Sequence, residues 1–169
     1  MKTIFWFRRD RRLQDNQALK FAADTSSSVL PVFVYPAAVT DMSERRRGSI
    51  EASVQALSRS LPRGLQVLSG EPSVVLKALA NQVAAVRIIA TKSFDPEGIR
   101  QQEQVSSVLE GTGIELVLLG SYYQVEPGTV LKDDGTALRV YTPFFRRWQS
   151  FASEKPSSID IAAVKWETP

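Results

Sequence analysis

Short apolar runs alternate along the chain with segments in which apolar residues recur every three or four positions. The runs are typical of buried strands, and the wider spacing is typical of helices with one apolar face. Five runs predict five strands, at residues 3–7, 29–35, 65–69, 86–91 and 114–119. Because several of them are nearly continuous Val, Ile and Leu, the strands are expected to form a parallel sheet that is covered on both faces.

Helices are predicted between these strands. Asp15 is expected to cap the first, which places Ala18, Leu19 and Ala22 on one face. Apolar residues at helical spacing predict further helices over residues 49–61, 72–83 and 97–110. In the second strand, Pro31 indicates a position near the strand start or on an edge side. The whole pattern predicts an α/β fold, with a Rossmann-like, doubly wound, five-stranded parallel sheet and helices on both faces.

A different pattern follows the fifth strand. Asp134-Gly135 between two extended stretches predicts a hairpin. Thr142 as cap and Pro143 at the first helical position predict a short helix over residues 142–151. The last residues are expected to form a linker or an extended arm. We therefore divide the chain into an α/β domain, 1–130, and a region with hairpin, helix and linker, 131–169.

Composition narrows the possible chemistry. The 169 residues, 43% of them hydrophobic, are enough for one globular domain. The chain has no cysteine and no histidine, which excludes thiolate or imidazole catalysis, disulfides, and metal sites built from these ligands. No catalytic residue and no metal site is expected. The apolar segments are too short to span a membrane, so we expect a soluble, cytoplasmic protein.

The arginines are clustered at residues 8–12, 45–47 and 146–147, although the formal net charge is only +3. Each exposed cation could add a salt-dependent contact with nucleic acid. The clusters are separated in sequence and lack the interleaved aromatic residues of single-strand binders. We therefore favour a solvated or interdomain face. Arginines also stand after the first strand in place of a Gly-rich phosphate loop, so neither a dinucleotide fingerprint nor a P-loop is present.

Open sheets of this kind bind ligands beyond the carboxyl ends of their strands. The turns at residues 7–13, 35–38 and 92–100 should meet there. These turns supply aromatic and polar side chains for a small-molecule site, with packing and surface charge as the alternative role.

A resemblance now adds to this picture. The stretch "IFWFRRDRRLQDNQAL" resembles the opening of the DNA photolyase and cryptochrome family, approximately W-F-R-x-D-L-R-L-x-D-N-x-A-L. The matching positions are Trp6, Phe7, Arg8, Asp10, Arg12, Leu13, Asp15, Asn16, Ala18 and Leu19. "GEPSVVLKAL" and "VEPGTVLKDDGTALRVYTPFFRRW" are similar to later family segments, so the resemblance runs from about residue 3 to residue 151.

The resemblance implies a parent protein with a second, larger helical domain that binds FAD and the DNA lesion. The parent would be a monomeric deoxyribodipyrimidine photolyase that repairs pyrimidine dimers with blue light. Its partners would be damaged DNA and, for this chain, its own helical domain. The chain itself would hold no FAD, but it could hold a light-harvesting chromophore: methenyltetrahydrofolate, a deazaflavin or a flavin. The alternatives are a signalling cryptochrome and a stand-alone nucleotide-binding module.

Such a chromophore needs ring faces and a polar edge. The candidate site residues are Phe7, Arg8, Asp10, Tyr35, Phe94, Asp95, Glu97 and Arg100. Asp10 is expected to pair with a neighbouring arginine and fix the turn, whereas Arg9 and Arg11 are expected to face solvent. Glu97 falls near the acidic residue of folate-binding members. Gln101-Gln102 replaces an Arg-Asp pair that is common in related sequences.

Overall fold

The computed structural model describes residues 1–35, 42–151 and 156–169. Five parallel strands form one sheet in the order β3-β2-β1-β4-β5. The strands are β1 Lys2–Phe7, β2 Ser28–Tyr35, β3 Gln66–Ser69, β4 Arg87–Thr91 and β5 Glu115–Leu119. The parallel sheet predicted from the apolar runs is confirmed, and its strands begin and end within one residue of the predicted bounds.

Helices follow the strands in the predicted alternation. They are α1 Gln17–Thr25, α2 Glu44–Ser60, α3 Pro72–Gln82, α4 Pro96–Leu109 and α5 Tyr141–Trp148. Phe5 and Phe7 of β1 lie in a core with residues of α1 and α2, and Ile4 and Trp6 lie in a second core with residues of α3 and α4. Because neighbouring strand residues point to opposite faces, the central strand is buried on both sides. Within the described residues, no helix is long and apolar enough to cross a membrane.

Helix α1 begins at Gln17, one residue later than a cap at Asp15 would place its start. Asn16, not Asp15, is the N-cap: its backbone is extended, and its side chain accepts a hydrogen bond from Leu19 N at 3.0 Å. Asp15 has a φ of +51°, in the left-handed region. The prediction of Asp15 as the cap was wrong because the cap needs an extended backbone, which the chain adopts only at Asn16.

The segment after β5 departs further from the prediction. A turn forms at Asp134-Gly135, with Lys132 N donating to Thr136 O at 2.8 Å. The flanking residues pair only at one bridge, so the predicted hairpin strands are not formed. Helix α5 is capped by Val140, so Thr142 is not its cap and Pro143 lies at the third helical position. Pro143 is tolerated there because N–H groups of the first turn have no intrahelical acceptor.

Residues 156–169, for which a linker or an extended arm was predicted, pack on the α/β core. Trp166 pairs with Val29 of β2, and Val29 N donates to Lys165 O at 2.9 Å. The terminal segment thereby occupies the edge of β2 that β3 leaves uncovered, since β3 pairs only from Val32 onward. Pro31 lies between these two pairings, where its missing N–H leaves no ladder hydrogen bond unmade.

Candidate functional site

A cavity of about 480 Å³ opens at the carboxyl ends of β1 and β2 and beside the first turns of α2 and α4. This is the edge of the sheet at which the turns after strands one, two and four were expected to meet. Its lining comprises Trp6, Phe7, Arg8, Arg9, Arg11, Phe33, Val34, Tyr35, Met42, Arg46, Ile50, Pro72, Ser93, Asp95, Glu97, Gly98 and Gln101. Part of the predicted second turn, residues 36–38, lies outside the described residues.

Aromatic rings form the apolar part of the lining. Trp6 and Phe7 end β1, and Phe33 and Tyr35 end β2. The Phe33 and Tyr35 rings meet edge to face with centroids 5.0 Å apart, an arrangement that fixes both rings. Burial raises the pKa of the Tyr35 hydroxyl, so this group is neutral and can donate a hydrogen bond at neutral pH.

Arg8 is the buried cation of the site. Its Nη1 donates to Gln102 Oε1 at 2.8 Å and its Nη2 donates to Gly98 O at 2.7 Å. Its guanidinium carbon lies 4.5 Å from the centroid of the Trp6 ring, a cation–π contact. Burial lowers the pKa of Arg8 to about 10, which still leaves it charged at neutral pH. Neutral acceptors thus hold a full positive charge at the wall of the cavity.

The start of α4 fits closely against the loop that precedes it. Gln102 Oε1 also accepts from Ser93 N at 2.5 Å, so one buried glutamine holds both the loop and Arg8. A Cβ at Gly98 would lie 2.4 Å from Ser93 Cβ, which only glycine avoids. Asp95 caps the helix by accepting from Gly98 N at 3.1 Å. Gln102 was noticed in the sequence only as a departure from a family pattern, yet it positions the central cation.

Asp10 does not line the cavity. Its carboxylate accepts hydrogen bonds from Thr91 Oγ1, from Asn16 Nδ2 at 3.2 Å and from Arg8 N at 3.5 Å. Burial raises its pKa. The expected pairing with a neighbouring arginine was wrong: among the described residues, no basic side chain lies within ion-pair distance of Asp10. Uncharged donors instead join the β1–α1 turn to β4.

Two further arginines reach the cavity from different parts of the chain. Arg11, which was expected to face solvent, is half-buried: its Nε donates to Ser53 Oγ of α2 at 2.5 Å, and burial lowers its pKa. Arg46 comes from the first turn of α2. The clusters at residues 8–12 and 45–47 therefore meet at one cavity. Arg147 of the third cluster instead pairs with Asp133, at 2.6 Å.

The structure divides the candidate residues into three groups. Those that line the cavity are Phe7, Arg8, Tyr35, Asp95 and Glu97. Asp10 is not in the lining, but its carboxylate accepts from the backbone N–H of Arg8, which is. Phe94 and Arg100 lie outside the lining: the Phe94 ring packs against Tyr123 with centroids 6.1 Å apart, and Arg100 pairs with Glu97 at 2.7 Å. The sequence analysis did not predict Phe33 and Ile50 as lining residues. In the sequence they are apolar positions of a strand and a helix, like any residue of the core.

The lining of the site is suited to binding a small molecule. Within the described ranges, no group of three acidic, histidine or cysteine side chains could hold a metal ion. The lining combines aromatic rings with guanidinium groups, two of which lie over the rings of Trp6 and Phe33. Such a cavity can hold a flat conjugated molecule and contact an anionic or polar edge of it.

Comparisons with known proteins show which family shares this sequence and fold. The family model described as DNA photolyase matches residues 3–160. A deoxyribodipyrimidine photo-lyase from Synechococcus sp. is 29% identical over 162 residues, which cover 92% of this chain and 33% of that protein. The solved class III photolyase of Agrobacterium tumefaciens has a TM-score of 0.88 at 25% identity, over 99% of this chain and 36% of that one.

A third protein shows the same fold. The archaeal photolyase of Sulfolobus tokodaii, solved with two FAD molecules, has a TM-score of 0.84 at 24% identity and covers 100% of this chain and 39% of its own. The present chain thus spans between a third and two fifths of the length of these three proteins.

Proposed function

The chain belongs to the DNA photolyase family, and on that premise we propose that it is the light-harvesting-chromophore domain of a flavin-dependent photolyase that repairs pyrimidine dimers with blue light. The relatives that carry the name deoxyribodipyrimidine photo-lyase support the repair activity. The FAD that drives repair and the contacts with damaged DNA would belong to the rest of the parent protein. This chain's own task is to bind and orient the second chromophore.

The observation that carries the proposal is the cavity at the ends of β1 and β2. Its volume, about 480 Å³, lies in the range of small-molecule sites, roughly 300–1,000 Å³. Phe33 and Tyr35 offer ring faces and edges to a planar chromophore, while Arg8, fixed by Gln102 and Gly98, offers a charge that need not rearrange on binding. The residues present therefore fit a conjugated ring system with a polar edge.

The chromophore, when bound, supplies light absorption and passes its excitation to the FAD of the parent protein. The protein's residues contribute position and shielding. Trp6 and Phe7 are buried in the sheet and cannot move without disturbing both cores, so the cavity floor is rigid. A rigid floor fixes the orientation of the ring, on which energy transfer depends.

Binding by the chain itself tests this proposal. Riboflavin, a deazaflavin and methenyltetrahydrofolate are each titrated into the chain, and binding is followed by chromophore fluorescence. At least one should bind, and Tyr35→Ala should weaken its binding about tenfold because it removes a stacking or edge contact of about 1–3 kcal/mol. Phe94→Ala is the matched control, an aromatic residue after β4 that does not line the cavity. Binding of none of the three, or equal losses for both variants, would contradict the proposal.

The repair activity needs the complete coding sequence that contains this chain. The encoded protein is illuminated with DNA that carries pyrimidine dimers, and the remaining dimers are counted against a dark control. We expect light-dependent loss of dimers. A protein that binds FAD and responds to light but leaves the dimers intact would instead support the cryptochrome alternative.

A further inference from the structure

We propose that the apolar side of helix α5 is a docking surface for the part of the parent polypeptide that this chain lacks. This side is formed by the rings of Tyr141, Phe145 and Trp148, here called the aromatic ridge. The inference goes beyond the proposed function and rests on it only for the longer parent protein. Chromophore binding in the cavity at the ends of β1 and β2 plays no part in it.

The aromatic ridge is a continuous apolar surface. Its residues are spaced by four and three positions, so they lie along one side of the helix. The Tyr141 and Phe145 rings stack with centroids 5.6 Å apart, and the Phe145 and Trp148 rings stack with centroids 6.0 Å apart. Phe144, three residues after Tyr141, adds a further exposed ring. Single exposed apolar side chains are common, but a contiguous group of this kind marks an interaction site.

Within the described part of the chain, the ridge is left largely exposed. Tyr141 is 73% exposed and Phe145 is 38% exposed, and no residue of α5 is buried. Arg147 of α5 pairs with Asp133 at 2.6 Å, but the Asp133 carboxylate lies almost entirely in solvent, so this contact adds little stability. The described chain therefore holds α5 in place weakly.

The length of α5 calls for a partner. Isolated helices shorter than about 12–15 residues are marginal in water, and α5 has only 8 residues. Its composition gives little help, since aromatic residues, threonine and proline are weaker helix formers than alanine or leucine. Short helices in proteins are stabilised chiefly by packing of one apolar face. We infer that the partner of this face lies outside the described residues.

The arginines of α5 favour a protein partner over nucleic acid. Arg146 and Arg147 directly follow Phe145, so the helix turns them away from it by about 100° and 200°. Single-strand binders combine stacking rings with cations that follow the phosphates along one groove. On α5 the rings and the guanidinium groups face different directions. The rings also stack on one another, which leaves less of each face for a base.

The size of the ridge favours a contact within one polypeptide. Stable interfaces between separate chains bury about 800 Å² per partner and involve about 20–30 residues a side. The ridge and Phe144 offer four rings, which is too few to hold a second copy or an independent protein. A linked segment needs less surface, because the linkage gives it a millimolar effective concentration. The relatives contain such additional polypeptide, since this chain covers only 33%, 39% and 36% of their lengths.

A second cavity beyond the end of α5 offers a place for a side chain of the docking segment. Its volume is about 330 Å³, and its lining includes Gln17 at the start of α1, Tyr123 and Val125 after β5, and Phe151. Phe151 N donates to Trp148 O at 3.1 Å, so one turn of the chain joins the ridge to this cavity. We expect the docking segment to cover the ridge and to insert an apolar side chain beside the Phe151 ring.

The decisive experiment measures hydrogen–deuterium exchange of residues 141–151 in the 169-residue chain and in the complete protein that contains it. In the chain alone, α5 should exchange almost as fast as an unstructured peptide. In the complete protein we expect exchange to be about 100-fold slower, because docking makes local opening costly. Equal exchange in both forms would overturn the inference. Protection of the chain alone that rises with its concentration would indicate a second copy, and protection only with added DNA would indicate nucleic acid; either result overturns it too.

A variant assigns the protection to the ridge. In the complete protein, Phe145→Ser should speed the exchange of α5 about tenfold or more, because it removes the central ring of the docking surface. In the 169-residue chain it should leave the urea midpoint unchanged, since Phe145 is exposed there. Val74→Ser is the matched control, an apolar residue of α3 that is 64% exposed, and it should change the exchange of α5 less than about twofold. Equal effects of the two variants would show that the ridge is not the docking surface.

The two proposals fail separately. Chromophore titration into the chain does not involve α5, so loss of the docking surface leaves the light-harvesting role standing. If no chromophore binds but α5 is protected in the complete protein, the light-harvesting role falls and the docking surface stands.

Discussion

Asn16 joins three parts of the structure through one side chain. Its Oδ1 accepts from Leu19 N and caps α1, while its Nδ2 donates to Asp10 Oδ2 and to Arg12 O, each at 3.2 Å. Asp15 and Asn16 are both residue types that cap helices, so the sequence alone did not separate them. The extended backbone at Asn16 and the left-handed backbone at Asp15 decide which one caps.

Replacing Asn16 by aspartate should separate its two roles. Asn16→Asp keeps an acceptor for Leu19 N, but it removes both donated hydrogen bonds and places a second carboxylate beside buried Asp10. We expect a loss of about 2 kcal/mol or more in the free energy of unfolding at neutral pH, measured by urea denaturation. Asp15→Asn is the control and should cost less than about 0.5 kcal/mol, since both Asp15 and its partner Arg12 are exposed.

The loss should depend on pH. Lowering the pH protonates one of the two carboxyl groups, which removes the repulsion and restores a donor, so the difference from the wild type should shrink. In the wild type, burial raises the pKa of Asp10. Its contribution to stability is therefore greatest below the ordinary pKa of a carboxyl group and falls as the pH rises through the raised value. A variant as stable as the wild type at neutral pH would show that the contact with Asp10 does not matter.

At the scale of elements, the terminal segment, residues 156–169, packs on the core although its apolar residues are irregularly spaced. Ile159, Val164 and Trp166 are buried against the α1 and α2 side of the sheet, although their spacing fits neither a strand nor a helix. The Trp166 Nε1 donates to Ile161 O at 2.9 Å, so the ring is buried without leaving its polar atom unsatisfied. The segment is held by backbone hydrogen bonds to Val29, at the edge of β2 that β3 leaves uncovered.

Trp166→Ala should destabilise the chain by about 3–5 kcal/mol, because it removes a large buried ring and leaves a cavity beside the sheet. Lys165→Ala is the control: its side chain is exposed, and the backbone carbonyl that accepts from Val29 N remains. It should change the free energy of unfolding by less than about 0.5 kcal/mol. Urea midpoints measure both. Equal midpoints would mean that the terminal segment adds nothing to the fold.

At the scale of the whole molecule, burial is uneven. The sheet and helices α1–α4 enclose two cores, whereas only Val130 is buried between residues 120 and 151. Helix α5 has no buried residue, and Tyr141, Phe144 and Phe145 are exposed on it. A segment with so few buried contacts opens locally at low free-energy cost.

Limited digestion with trypsin should therefore begin in this segment. We expect the first cuts after Lys132, Arg139, Arg146 or Arg147, which are exposed, before any cut after Lys77 of α3 or Arg87 of β4. Mass spectrometry at short digestion times identifies the sites. The C-terminal fragment should co-elute with the rest under native conditions because Trp166 stays packed. Early cleavage after Arg87 would contradict the two-core arrangement, and digestion in urea provides the unprotected control.

The sequence by itself determined the α/β class, the five strands and the helices between them. The spacing of the apolar residues indicates which face of each element is buried, and therefore whether it is a strand or a helix. The motif around residues 6–19 also indicated the family that the comparisons confirm. Local signals were weaker wherever a residue's role depends on a distant partner. Arg11 was expected to face solvent, but it donates a hydrogen bond to Ser53 of α2. Gln102 differed from the family pattern in the sequence, and the structure shows that it accepts a hydrogen bond from Arg8.

Only the tertiary structure decided how the site is assembled. The strand order β3-β2-β1-β4-β5 brings the ends of β1 and β2 and the start of α4 to one cavity. It also joins the arginines of residues 8–12 to Arg46, which lie more than thirty residues apart in the chain. Sequence separation gives no distance in space, because each crossover returns the chain to the same edge of the sheet. For that reason the sequence could supply the residue types of a ligand site, and only the fold could give their positions and pairings.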